Sequence, residues 1–363
     1  MSEIEAPLIE ARRVVKVFGG GLSGARHTTA LDDVSLTIPA AEPMLAAVAG
    51  ESGSGKSTLV LHLMGMTRPT SGQVLYQGRD LVTRRRGDRV QFHRDIQAVF
   101  QDPYDAYNPF YRVDHVLQVP VSHLKLAPSR RQGQVMIREA LERVGLRPGD
   151  TLGRFPHQLS GGQRQRLMVA RAWLTRPKLL LADEPVSMVD ASLRATILNE
   201  LRQLHQDLGV GILYITHDLT TAYQLCRTIL ILYRGAVVEQ GTVEEVISKP
   251  KHPYTQLLVS SIPRVKGAHD WLDSKAGETA DSERSSAGCR FANRCPAVMD
   301  RCWREPPPLY RTEVGSLARC FLYADRPEVT SDVAGRELAS GPAANGAAPA
   351  AAALSNDKPE SKD

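Results

Sequence analysis

The chain predicts an α/β fold built on a mostly parallel sheet, and three observations carry that expectation. A phosphate-binding pattern, Gly50–Thr58, lies between a short apolar run and a helical stretch. Short apolar runs alternate with helical patterns through the second half of the chain, as in sheets whose parallel strands are joined by helices. One such run, Leu179–Ala182, ends in two adjacent carboxylates, Asp183 and Glu184.

Size and composition set the outer bounds. The 363 residues are enough for a sizeable core and more than one domain. Hydrophobic residues make up 42% and charged residues 23%, ordinary values for a globular protein. The net charge of +5 is mild and its basic residues form no long block, so no nucleic-acid partner is expected. Arg84-Arg85-Arg86 reads as a solvated loop. No run of about 18 apolar residues offers a membrane span. The acidic start, Met1-Ser2-Glu3-Ile4-Glu5, lacks the basic and apolar regions of a secretory signal, so a cytoplasmic location is expected. Thiols stay reduced there. Four of the five cysteines, Cys289, Cys295, Cys302 and Cys320, share one C-terminal segment.

In chain order, residues 8–18 and 31–38 read as strands around the Gly19–Gly24 link, and Leu31, Val34, Leu36 and Ile38 alternate as on an antiparallel strand with one buried face. Met44–Ala49 suits a buried parallel strand, with further strands at 73–76 and 96–100. From about residue 103 to 167 the strand pattern gives way to a helical insertion. Within it Val135–Val144 has helical spacing and Gly145 is its stop. Helices follow at Leu167–Leu174 and Leu193–Leu208, strands at Leu179–Ala182 and Gly211–Thr216, and a hairpin turns at Arg234-Gly235. The organisation expected is a nucleotide-binding domain over 1–263, a polar linker over 264–287, a four-cysteine extension over 288–328 and a disordered Ala/Gly/Pro-rich tail over 329–363.

The chemistry is concentrated in a few motifs. Gly50-Glu51-Ser52-Gly53-Ser54-Gly55-Lys56-Ser57-Thr58 fits G-x-x-x-x-G-K-S/T. Its glycines let backbone N–H groups turn toward phosphate oxygens, Lys56 reaches the β- and γ-phosphates, and the Ser57 hydroxyl can coordinate Mg²⁺. The helix behind it points its positive end at the anion. Asp183 is placed to hold Mg²⁺, and Glu184 to orient or deprotonate an attacking water. A solvated acidic turn is the plainer alternative for that pair, but it weakens once a phosphate loop precedes it. Leu159-Ser160-Gly161-Gly162-Gln163 opens a second helix with exposed backbone donors, a second anion site that one simple NTPase does not need.

With those residues in view the chain resembles the ATP-binding subunit of an ATP-binding-cassette (ABC) transporter, over residues 8–263. The resemblance implies a RecA-like P-loop NTPase core with an N-terminal antiparallel β subdomain and a helical signature subdomain. It implies a Q-loop residue, Gln101, that contacts Mg²⁺ and the attacking water. It makes Ser160, Gly161, Gly162 and Gln163 a signature lent to a partner's ATP, Asp190 the D-loop acid and His217 a switch histidine on the γ-phosphate. Phe18 stands where an adenine-stacking aromatic is expected, with a core role as the alternative. Glu184 is retained, so an active hydrolytic site is expected.

A second resemblance is to dipeptide and oligopeptide importer ATPases. It rests on Phe100–Tyr104 with Tyr107-Asn108-Pro109, on His252-Pro253-Tyr254-Thr255, and on the four cysteines with Cys295-Pro296 and Glu305-Pro306-Pro307. Some members of that group carry a 4Fe–4S cluster on such cysteines. Four thiolates would also suit a zinc site, though without the short C-x-x-C pairing of zinc ribbons, and a segment without metal is the third alternative. The partners implied are two transmembrane permeases, a second ATP-binding subunit and an extracytoplasmic binding protein, with this chain peripheral on the cytoplasmic face of the membrane. The cargo expected is a peptide. Ser187-Met188-Val189-Asp190 departs from the more usual S-A-L-D, and similar sequences in oligosaccharide importers keep that cargo as runner-up. A soluble ABC ATPase of DNA repair or translation fits less well, because the chain has one cassette and no long heptad run. A kinase-like P-loop enzyme would not need Leu159–Gln163.

Overall fold

A computed structural model of the chain describes residues 6–19, 27–83, 86–102, 107–262 and 287–340. The expected linker and the link after Gly19 therefore fall almost wholly outside the described residues.

The chain opens with β1 (Ile9–Phe18) and β2 (Thr28–Ile38), which pair antiparallel, and then enters the central sheet with β3 (Leu45–Ala49). Helix α1 (Lys56–Leu63) follows the phosphate loop. Strands β4 (Ser71–Tyr76) and β5 (Arg79–Asp80) complete a four-stranded antiparallel sheet of order β2-β1-β4-β5, the expected N-terminal subdomain. Helix α2 (Arg86–Asp95) begins at the last arginine of the basic cluster and leads to β6 (Ile96–Val99).

The helical insertion comprises α3 (Asp114–His123), α4 (Arg130–Arg143) and the single turn α5 (Pro148–Thr151). Ser129 caps α4 through its hydroxyl, and Gly145 at φ 66° ends it where the sequence places the stop. Helix α3 escapes the sequence reading because Pro120 interrupts its pattern and only Leu117 and Val121 are buried along it. Helix α6 (Gly161–Thr175) starts at the signature, six residues before the expected Leu167.

The α/β alternation then runs through β7 (Leu179–Asp183), α7 (Ala191–Leu208), β8 (Gly211–Thr216), α8 (Leu219–Leu225) and β9 (Thr228–Tyr233). β10 (Ala236–Thr242) folds back on β9 through Arg234 and Gly235, both at positive φ, the requirement of a tight two-residue hairpin turn. Two short helices, α9 (Val243–Ser248) and α10 (Pro253–Ser260), close this part.

The C-terminal segment is not a free-standing appendage. It holds α11 (Asp300–Arg304), β11 (Leu309–Glu313), β12 (Ser316–Ala318), β13 (Glu328–Val329) and α12 (Ser331–Ser340). β12 pairs with β10, so the central sheet reads β13-β11-β12-β10-β9-β3-β8-β7-β6. The disordered tail expected from residue 329 is corrected over Ser331–Ser340. That stretch is helical because Ala334 and Leu338 bury on one face and α12 lies against β2. Gly335 lets it approach so closely that a Cβ there would stand 2.8 Å from the Ser35 carbonyl carbon.

The parallel strands explain their own sequences. Along β3, Ala47 and Ala49 join one buried cluster while Ala46 and Val48 join the other, and β7, β8 and β9 divide in the same way. One face is covered by α6, α7 and the helical insertion, the other by the antiparallel sheet and α1. Strands buried on both faces read as unbroken apolar runs, each Leu or Ile contributing about 1.5–3 kcal/mol.

Candidate nucleotide site

Four of the candidate segments leave the same edge of the sheet. The local order is β3-β8-β7-β6, all parallel, with Ala49 beside Thr216, Asp183 beside Ile215 and Val99 beside Ala182. The phosphate loop follows β3, His217 follows β8, Asp183 ends β7 with Glu184 next, and Gln101 lies just beyond β6. The carboxyl ends of adjacent parallel strands are where open α/β sheets bind ligands.

The phosphate loop is tightly seated. A Cβ on Gly50 would stand 2.2 Å from the Leu232 carbonyl oxygen, and one on Gly55, at φ 104°, 2.3 Å from that of Ala30. Ser52 and Gly53 are exposed at the tip, while Ser54 is buried with its Oγ unpartnered among the described residues. Lys56 Nζ donates to the carbonyl oxygens of Gly50 at 2.7 Å and Glu51 at 2.9 Å, using two of its three donors. Burial pushes the Lys56 pKa down, against the opposing pull of Glu184, Asp183 and Glu51. Those three carboxylates are thus within electrostatic reach of the ammonium. Thr58 lies in the first turn of α1.

Asp183 is buried and its pKa is raised, first by desolvation, although the Ser57 hydroxyl donates to it. Its Oδ1 is buried without a hydrogen-bond partner among the described residues. A buried carboxylate oxygen beside a hydroxyl is the donor pair a Mg²⁺ ion takes, so Ser57 and Asp183 fit the ion. Glu184 adopts φ +46°, uncommon outside glycine, while its N–H donates to the Ile215 carbonyl at 2.9 Å. That turn sets its Oε2 3.1 Å from His217 Nδ1, with Glu184 sheltered and His217 more than half exposed. Gln101 is half-buried. Phe18, at 44% exposure, is not a core residue, and the Lys16 ammonium lies 5.0 Å from its ring centroid.

The signature is built as a helix start. Ser160 Oγ accepts from the Gln163 N–H at 3.2 Å and Gln163 Oε1 accepts from the Ser160 N–H at 2.9 Å, a reciprocal cap. Gly161 opens the first turn. Gly162 faces α7, where an added Cβ would stand 2.7 Å from Leu193 Cδ1. Asp190 is exposed at the N-cap of α7. Tyr107, from the Tyr107-Asn108-Pro109 stretch that carries the second resemblance, is buried, its hydroxyl donating to the Arg164 carbonyl at 2.7 Å. Phe110 and Tyr111 nearby are exposed.

Sequence reasoning missed the residues that brace the loop from a distance. The Glu51 N–H donates to Tyr254 Oη at 2.8 Å, and Arg294 donates to both Glu51 carboxylate oxygens at 3.0 Å. In the sequence Tyr254 stands out only as part of a family motif, and nothing near Arg294 points to residue 51. The four C-terminal cysteines are free thiols. Burial pushes Cys320 up to about 11, and the other three cysteines add to that rise. Their donor chemistry suits a cluster and they influence one another, yet among the described residues no group of three or more His, Cys, Asp or Glu side chains is disposed as a metal-binding set.

A P-loop pattern between strand and helix, an acidic strand end, a histidine just beyond the neighbouring strand and a separate capped, Gly-rich helix start together match an ATPase of the ATP-binding-cassette kind. Residues 31–187 match the family model described as ABC transporter, and residues 238–302 the one described as oligopeptide/dipeptide transporter, C-terminal region. The chain is 38% identical over 312 residues to the Sinorhizobium fredii protein y4tS, named a probable peptide ABC transporter ATP-binding protein, covering 86% of this chain and 87% of that one. It is 34% identical over 304 residues to the oligopeptide transport ATP-binding protein AppD of Bacillus subtilis, covering 82% and 92%. A solved structure of the ATP-binding cassette MJ0796, a dimer in a post-hydrolysis state bound to ADP and Pi, is 27% identical with a TM-score of 0.58, covering 65% of this chain and 98% of that one. The chain belongs to the oligopeptide/dipeptide group of ABC transporter ATP-binding proteins. Among the described residues no helix is long and apolar enough to cross a membrane.

Proposed function

We propose that the chain is the ATP-hydrolysing subunit of a bacterial ABC importer that powers uptake of di- and oligopeptides. The single observation that carries this is the alignment of the phosphate loop, Asp183–Glu184, His217 and Gln101 on one edge of the sheet, in a chain whose relatives are named for peptide transport.

In this reading the backbone from Gly50 to Gly55 and the hydroxyls of Ser52, Ser54 and Thr58 bind and orient the phosphates, while Lys56 neutralises the β- and γ-oxygens. Phe18 stacks on the base. Ser57, Asp183 and Gln101 hold Mg²⁺, which when bound offsets charge developing on the transferred phosphoryl group. Glu184 orients the attacking water and takes its proton, and His217 steadies Glu184 and the γ-phosphate. Ser160–Gln163 offer backbone and hydroxyl donors, with Asp190 beside them, to ATP held by a second, related ATP-binding subunit. Phe110 and Tyr111 form an exposed aromatic contact for a permease, which keeps the chain on the inner face of the membrane. Two permeases and an extracytoplasmic binding protein complete the assembly. The test is co-purification from membranes with hydrophobic partners, followed by ATPase assays with peptide-loaded binding protein. Peptide-stimulated turnover supports the reading, and full activity indifferent to permeases and peptide removes it.

The four cysteines support a second, smaller proposal: that Cys289, Cys295, Cys302 and Cys320 take up a 4Fe–4S cluster, with no step of hydrolysis assigned to it. The support is their mutual electrostatic influence, with Cys289 and Cys302 packed in one small core with Phe321 and Tyr310. Iron and acid-labile sulfide in anaerobically purified protein test it, and zinc or no metal refutes it.

A further inference from the structure

The segment between Cys289 and Cys295 grips the phosphate loop on two sides. On one side, Arg294 ends a tight turn over Ala292–Arg294 and forms a two-pronged ion pair with Glu51, the second residue of the loop. On the other, Arg290 pairs with Asp32 at 2.5 Å and donates to the Arg234 carbonyl. The next residue, Gly235, donates its N–H to the Ser54 carbonyl at 2.8 Å. The backbone that carries Arg294 is itself fixed, since Cys289 donates to the Cys302 carbonyl at 2.7 Å and Ala292 to that of Cys289 at 3.0 Å. The Arg294 guanidinium also lies 5.6 Å from the ring centroid of buried Phe291.

Glu51 is an awkward residue for a loop that binds a polyanion. Its carboxylate acts on the Lys56 ammonium, its carbonyl accepts from Lys56 and from the Ser54 N–H at 3.2 Å, and its N–H is held by Tyr254. Displacing this one residue therefore disturbs both the charge and the backbone of the cradle. Left unpaired, its negative charge would oppose the phosphates.

We infer that Arg294 is a positioning residue for nucleotide binding: it neutralises Glu51 and holds the phosphate loop from the C-terminal segment, so that this segment sets ATP affinity. The inference rests on Gly50–Thr58 being the ATP site. Both partners are about 40% exposed, so the effect is that of a screened ion pair.

The test is titration of the full chain with a fluorescent ATP analogue and Mg²⁺. Arg294→Gln is expected to raise Kd about three- to fivefold at low salt, with a smaller rise at high salt. Glu51→Gln combined with Arg294→Gln is expected to recover most of the loss, because the repelling charge is gone. In the assembled transporter Arg294→Gln alone should raise KM for ATP and leave kcat within about twofold. Arg294→Lys keeps charge without the fork, should give an intermediate rise, and serves if Arg294→Gln does not fold. Unchanged affinity in Arg294→Gln overturns the inference. So does a double variant as weak as the single one, which would mean that Arg294 acts only through the fold of its segment. Lys56→Ala must abolish binding in the same assay. If it binds normally, the ATP-site reading fails and the inference goes with it.

Discussion

His217 Nδ1 lies 3.1 Å from Glu184 Oε2, joining the ends of two neighbouring strands. Replacing Glu184 with Gln keeps the shape and removes the carboxylate proposed above as the base. Turnover in the assembled complex should fall roughly 10²- to 10⁴-fold while ATP binding is retained. Steady-state ATPase beside nucleotide titration measures both, and undiminished turnover would exclude Glu184 as the base.

Gly162 faces Leu193 across the α6–α7 contact, with no room for a branched side chain. Gly162→Val should displace the signature start, abolish ATPase of the assembled transporter, and leave ATP binding by the isolated chain within about threefold of native. That separation follows if the signature serves another subunit's nucleotide. Loss of binding by the isolated chain would contradict it.

Glu200 is buried in α7, and burial raises its carboxyl to about 7 from the ordinary 4.5, with Arg166 pulling the other way. The folded chain therefore holds this proton more tightly than the unfolded one. The stabilisation is full below about pH 4.5 and is lost as pH rises through about 7. Glu200→Gln should flatten this dependence. Its melting temperature relative to native should be higher near pH 8 than near pH 5, for a difference on the order of 1–3 kcal/mol. Parallel melting curves at the two pH values would exclude the effect.

Gly335 brings α12 onto the backbone of Ser35 and Leu36. Gly335→Val should lever the helix off β2 and lower stability by about 1–3 kcal/mol, read by thermal or denaturant unfolding. An unaffected melting curve would mean that α12 contributes nothing to the fold.

What could be read from the sequence was local. The phosphate loop, Asp183–Glu184, Ser160–Gln163 and His217 are contiguous motifs, and the apolar runs of β3, β7, β8 and β9 follow directly from burial on both faces. Helix α3 was hidden by Pro120, and α8 and α9 are too short for a periodic signal. The braces on the loop are long-range. Glu51 and Arg294 are 243 positions apart, and no spacing rule links a glutamate in a glycine-rich loop to an arginine among cysteines. Helix α12 was masked by the Ala- and Gly-rich composition that follows it, although Ala334 and Leu338 already lie four residues apart, on one helical face.

β10 pairs on one side with β9 and on the other with β12, where Glu239 meets Ala318 and Gln240 meets Leu317. A chain emerging from the ribosome exposes β10 as an open edge until residue 318 and its neighbours arrive. Such an edge is a template for foreign strands. The same hazard awaits any shortened version that ends with the cassette: it would be sticky as well as incomplete.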